Sequence, residues 1–502
     1  MTPDTRAAIA FSRFGLGVTP QGLKAALDNP AAALMAELKN PAPLTASPGP
    51  LQRELGFSTG LPPTPELLQQ IAAYNRARRD SRQTASKTAA KAADMEKPSP
   101  QMSGQMAGDG MMAPDNRKPD AKKPDSKKPQ AMDDALRLPL AISQMEIAAR
   151  IDAWSAAPVG FHERLVMFWA NHFAVSADKG LPLRVLAGAY EREAIRPHIA
   201  GRFRDLLVAA ERHPAMQTYL DNDSSIGPNA RANRNGKRGL NENLAREILE
   251  LHTLGVNGGY TQTDVTSFAK VLTGWGVDRT GQSRDGFRFN ANAHEPGKHT
   301  VLGKSYGDDG EQQGLRVLDD LAKHPATAKH IATKLVRHFI ADQPPPALVD
   351  LITRRFTDTQ GDLSEVYAAL LSAEESWSAP RSKLRTPQEF TLAAMRGLDV
   401  GMQPQRLTQT LRVLGQPLWQ PPGPNGFSDL ASVWTTPEGL NNRLDLAYQM
   451  GERLAERIDP RAFAEDRLKG LITETTRRSV ALAETRPQGL ALVLLSPEFM
   501  RR

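Results

Sequence analysis

Apolar side chains recur at three- and four-residue spacing in segment after segment of this chain, and that period constrains the fold more than any other feature. The spacing predicts helices over residues 5–12, 21–28, 31–38, 65–78, 133–155, 160–174, 183–194, 202–212, 241–254, 262–274, 326–341, 387–399 and 437–458, among others. Matching punctuation marks the ends. Thr261 stands three residues before Asp264 as a capping box, Gly255 follows Leu254, and His213-Pro214 and His324-Pro325 each close a helix. Strand patterns are confined to 286–290 and 299–303, which predict one irregular hairpin around a loop at 291–298. The expected fold class is therefore all-α: a multi-helix globular body with one small β-hairpin and a long disordered insertion.

The insertion is the stretch 79–131, rich in Lys, Pro, Ala, Asp and Met and without an aromatic residue. Such a segment buries too little apolar area to offset its ordering entropy. It also accounts for the charge. Residues 76–131 hold thirteen basic and seven acidic side chains, so nearly all of the formal net charge of +7 falls there and the rest of the chain is close to neutral. A basic binding face is not indicated, and no nucleic acid is expected as a partner. The 502 residues contain no Cys, which excludes disulfides, Cys-ligated metal sites and thiol catalysis. The first residues lack a basic region followed by an apolar run and a cleavage site, so no signal peptide is expected and the chain reads as cytoplasmic as written. No window reaches the ~18 apolar residues of a membrane span. The organisation expected is a helical lead-in over 1–78 packing on the main body, the insertion at 79–131, a main helical body over 132–413, and a Pro/Gly-rich loop with C-terminal helices over 414–502.

The run 241–255 carries the chemistry of most interest. On an α-helical wheel with Leu244 at zero, Glu242, Arg246 and Glu250 fall on a wet face, with Arg246 and Glu250 spaced as an i,i+4 pair. Glu247 at about 300° and His252 at about 80° fall inside the apolar arc. A carboxylate and an imidazole drawn indoors must find polar partners or shift their protonation. Glu247 is also read as one half of a structural salt bridge, and His252 as a last-turn histidine facing free carbonyls. Candidate partners are Asn171 and His172 at the end of an aromatic helix, Asp221 and Asn241 in an Asn-rich connection, and His294, Glu295 and His299 on the loop after Phe289.

The strings Arg13-Phe-Gly-Leu-Gly17, Phe168-Trp-Ala-Asn-His-Phe173, Pro214-Ala-Met-Gln-Thr-Tyr-Leu-Asp-Asn222, Asn241–Gly255, Leu272-Thr-Gly-Trp275 and His294–Gly303 resemble the bacterial family catalogued as domain of unknown function 1800. The likeness covers almost the whole chain apart from the insertion. It implies a helical fold, export in many relatives, and a sulfatase-like protein as a partner. Glu295 and Phe427 stand where that family commonly has Asp and Trp.

Two functions follow as expectations. The first is a metal-assisted or acid/base hydrolase, with Glu247 and His252 catalytic and His172, His294 and Asp221 holding a divalent ion such as Zn, Mn or Fe. The five-residue spacing of Glu247 and His252 sets them about 140° apart on the wheel, so one of them would serve as a base beside the ion rather than as a ligand. The alternative is a non-enzymatic helical module that binds a partner protein or a cell-envelope polymer.

Overall fold

The structure, a computed structural model, describes residues 1–19, 28–45, 49–54, 60–95, 130–234, 236, 239–378 and 380–502. The helix predicted over 21–28 lies, but for its last residue, outside them, as does the part of the insertion from 96 to 129. The chain is built of helices, as the periodicity requires. The helix Thr64–Met95 runs past Arg79, where irregular chain was expected, because residues 84–95 are mostly Ala, Lys and Thr, and the Ala and Lys among them favour helix. Among the described residues the β excursion consists of two hairpins rather than one. Trp275–Val277 pairs antiparallel with Phe287–Phe289, and His299–Val301 pairs with Lys304–Tyr306. The second hairpin turns at Leu302 and Gly303, which both have positive φ (51° and 74°), so the chain folds back at once instead of returning to Phe289.

One large core joins Ile9, Phe11, Phe14, Leu34 and Leu38 from the N-terminal helices to Trp169, Phe203, Ile248, Phe339 and Tyr367 of the body. A second core, from Phe390 to Met500, is formed by the C-terminal helices, and it begins upstream of the expected boundary at 414. Between them lies a seam of Leu16, Ile151, Trp154, Met167, Leu392, Leu407 and Leu418. Among the described residues no helix is long and apolar enough to cross a membrane.

Caps fix how the helices meet. Thr261 and Asp264 form the capping box read from the sequence, and Thr386 and Glu389 form another. His213 and His324 close one helix and also open the next, each accepting from a backbone N–H two residues on (3.1 and 3.2 Å). The helix Phe161–His172 starts at Gly160, which has no side chain to cap it. Glu37, from the helix Pro30–Lys39, supplies the cap, accepting from the N–H groups of Val159 (2.8 Å), Gly160 (2.9 Å) and His162 (3.3 Å). A buried carboxylate thus ties the N-terminal lead-in to the helix that carries Asn171 and His172. Glu37→Ala strands these donors and is expected to lower unfolding free energy by about 3 kcal/mol, with Glu37→Gln costing less, as measured by urea denaturation.

Candidate functional site

The segment 241–255 is helical but not α-helical throughout. From Ile248 to Thr253 the backbone bonds run i→i+5, with the Leu254 N–H reaching the Leu249 carbonyl (3.0 Å) and Thr253 Oγ1 donating to the Ile248 carbonyl (2.6 Å). This wide turn brings residues five apart toward one face, so Glu247 and His252 lie closer than a 3.6-residue wheel allows. It also moves Glu250 out of register with Arg246. Arg246 pairs with Glu242 (3.2 Å) and Gln262 (2.9 Å), and Glu250 accepts from Tyr260 (3.1 Å).

His252 is wholly buried. Its Nδ1 lies 2.8 Å from Oε1 of Glu211, which is equally buried, off the angle of a good hydrogen bond, and its Nε2 has no partner. Glu211 comes from the helix Phe203–Arg212 and was not anticipated, although its i,i+4 spacing from Phe203 and Leu207 marks the same inward face. His172 Nε2 donates to the His252 carbonyl (3.1 Å), and His330, also not anticipated, donates from Nε2 to the Leu251 carbonyl (3.0 Å). Burial, with Lys334 close by, pushes the His172 imidazolium well down and that of His330 to about 4. Glu247 is half-buried and forms no hydrogen bond or ion pair among the described residues. Burial raises its carboxyl pKa, His252 and Arg246 counter this in part, and Glu250 and Glu211 add to the rise.

The other expected residues are elsewhere. His294 donates to the Thr273 carbonyl (2.8 Å) beside Phe289, and Glu295 accepts from the backbone and side chain of Asn229 (2.7 and 2.6 Å). His299 is half-buried on the second hairpin. Asp221 pairs with Lys179 (2.6 Å), Asn241 binds the connection through Ser225 and the Leu220 and Asp221 carbonyls, and Glu242 accepts from Thr266 and Gln262. Among the described residues no three His, Asp or Glu side chains stand together as a metal site requires. The donors expected for one ion are each committed to a different part of the fold.

Asn171 leads to a second place that sequence spacing did not reveal. Its Nδ2 donates to the Phe427 carbonyl (2.8 Å) and its Oδ1 accepts the Phe427 N–H (2.7 Å). The loop 414–429 is thereby clamped over a narrow slot of about 70 Å³ at the junction of the body and the C-terminal helices. One wall holds Arg150, Glu191 and Trp419. Glu191 lies on another i→i+5 turn, pairs with Arg150 (3.0 Å), and accepts from the Trp419 indole (3.1 Å). Trp419 has φ of +54°, a left-handed backbone that costs a bulky residue on the order of 1 kcal/mol.

Asp429, His338 and Glu389, which also line the slot, belong to a buried ionic chain. Asp429 lies 2.7 Å from His338 Nδ1, the other nitrogen of His338 accepts from Arg164 (3.1 Å), and Arg164 and Arg502 both pair with Glu389 at 2.8 Å. Burial alone would raise both acids, but Arg164 and Arg502 hold Glu389 at about 2, and His338, Lys383 and Arg502 hold Asp429 well below the usual carboxylate range. Gln388 differs from these groups. It is buried against the slot, and its Nε2 has no partner. Behind Phe427 and Ser428 the slot backs onto a wider groove of about 680 Å³, within the size range of ligand sites.

A helical body with a loop-covered cleft at its junction with a C-terminal helical unit is the class that fold and site define. The chain belongs to the family described as Protein of unknown function (DUF1800), whose model matches residues 9–501. No curated protein and no solved structure matches it.

The imidazole cluster makes a prediction about pH. The folded-state value of His330 lies below that of an unfolded histidine, so unfolding takes up a proton between about pH 6.5 and 4. Its contribution to stability is complete above pH 6.5 and is lost as the pH falls toward 4. His330→Gln retains a donor for the Leu251 carbonyl without titrating. Urea denaturation at pH 7 and pH 5 is expected to show the variant losing less stability than the parent, by on the order of 1 kcal/mol.

Proposed function

We propose that the chain is a binding protein for an extended, hydroxyl-rich ligand of the envelope-polymer type, held on both sides of the loop 414–429. Support comes from what the cleft offers. The carboxylates, guanidinium and imidazole that line the slot are tied to partners of their own, so they shape and polarise it without a free base or nucleophile. Among the described residues Gln388 Nε2 is a buried amide donor without a partner, in the slot that the half-buried indole of Trp419 also lines. Arg150 covers the indole on one side at 5.5 Å; an aromatic ring and an amide donor lining one slot suit a saccharide ring, which has an apolar face and a hydroxyl edge. The observation that carries the reading is the left-handed backbone of Trp419, a strain maintained beside the cleft by the indole bond to Glu191 and the Ala177 N–H bonded to the Trp419 carbonyl (2.8 Å). The slot takes a chain end, and the groove takes the units that follow.

The test is a titration of tryptophan fluorescence with maltohexaose and chitohexaose. A saturable response is expected with at least one of them, at least about tenfold weaker in Gln388→Leu, and binding followed by isothermal titration is expected to be lost in Trp419→Gly. The glycine relieves the positive φ, so this variant is expected to lose less stability than burial of the indole would suggest. Absence of a saturable response to both sugars and to acidic hexamers of the same length at millimolar concentration sinks the reading.

The hydrolase reading is second and rests on Glu247. A half-buried carboxyl with a raised pKa and, among the described residues, no partner, one wide turn from His252, has the character of a general acid. If it acts so, Glu247→Gln abolishes release of reducing ends from a polymer substrate and leaves binding intact; equal turnover in the variant and the parent excludes it.

A further inference from the structure

We infer that the ligand carries an oxyanion, recognised in the groove behind Phe427 by Arg443. This rests on the binding reading above and names the chemistry of its ligand. Arg443 lies on the helix Pro437–Leu454, is 1 % exposed, and lines the groove. Its guanidinium sits 5.4 Å from the Phe390 ring and reaches Met500 Sδ at 3.9 Å, and its Nη2 has no partner. Among the described residues it forms no ion pair. The carboxylate that acts on it through space is Glu389, already held by Arg164 and Arg502. Arg385, buried over Phe499, is in the same position. Arg164 and Arg502 also have Asp429 close by, whereas Arg385 and Arg443 share only the field of an acid that two other cations already hold. A buried cation without a counterion is costly, and an anion in the groove supplies one.

A second feature points the same way. The groove wall includes Thr436, Glu438 and Gly439, the first turn of the 18-residue helix that carries Arg443, so the positive end of the helix dipole faces the space that Arg443 lines. Three exposed charges also border the groove: Arg412, which favours an anion, and Asp178 and Glu438, which oppose it. Water and salt screen these rim charges far more than they screen Arg443. A carboxylate or a phosphate can form paired hydrogen bonds with a guanidinium, so the class is an acidic polymer, with uronate and phosphodiester backbones as its two sources.

The test is isothermal titration of the full chain, at fixed ionic strength, with a hexamer of galacturonate, with glycerol phosphate oligomers, and with neutral maltohexaose. At least one anionic ligand is expected to bind at least about tenfold more tightly than the neutral one, and the stronger of the two identifies the source. Arg443→Met is expected to remove the preference. Because that position is buried, the exposed wall residue Val433, 47 % accessible, provides an independent check that leaves the core untouched. Val433→Glu is expected to weaken anion binding about tenfold, and Val433→Gln, of the same size, to leave it nearly unchanged. Equal affinity for charged and neutral hexamers, or equal effects of Val433→Glu and Val433→Gln, overturns the oxyanion inference while leaving the binding reading in place. Failure of all three ligands to bind overturns both.

Discussion

Much of this architecture turns on one buried carboxylate. Glu389 closes the capping box at the start of the helix Pro387–Gly397, accepting the Thr386 N–H at 2.9 Å, and with the same two oxygens it receives Arg164 from the body and Arg502 from the end of the sequence. Through Arg164 the chain of contacts continues to His338 and Asp429. The two hydrophobic cores are thus registered against each other by directional bonds in addition to the apolar seam between them. A buried ion pair adds little net stability against an apolar alternative, but removing one partner strands the other. What this arrangement provides is a fixed relation between the body, the C-terminal helices and the loop over the slot.

The parts of the fold that follow from local periodicity could be read from the sequence. The helices, the Thr261–Asp264 capping box and the inward pull on His252 all depend on neighbours within a few positions, and they are present where the structure describes the chain. The mutual placement of Glu247 and His252 was misjudged because a 3.6-residue wheel has no place for the i→i+5 turn between them. The slot was hidden for a different reason. Arg150, Glu191, Gln388 and Trp419 come from four distant stretches, and none stands in a pattern that marks it as functional. Sequence spacing gives the face of a helix but not which helix it meets, so Glu211 beside His252 does not follow from it, while His172, one of the candidate partners, bonds the His252 carbonyl.

The wide turns share a feature. Among the described residues they occur at Ala10–Phe14, Glu191–Ile195 and Ile248–Thr253, and each places a charged or titratable side chain in the interior: Arg13, Glu191 and His252. Inserting one residue into a helix changes which side chains face inward beyond that point. Here it brings polar groups to positions that the flanking apolar residues would otherwise occupy.

Asn171 holds the loop by the backbone of Phe427 alone, and Gly426 is needed beside it because a Cβ there would meet the Asn171 carbonyl at 2.3 Å. The path of the loop is therefore held through the backbone of Phe427, a residue that borders both slot and groove. The side chain at 427 can thus change in bulk while the backbone anchor beside it stays in place.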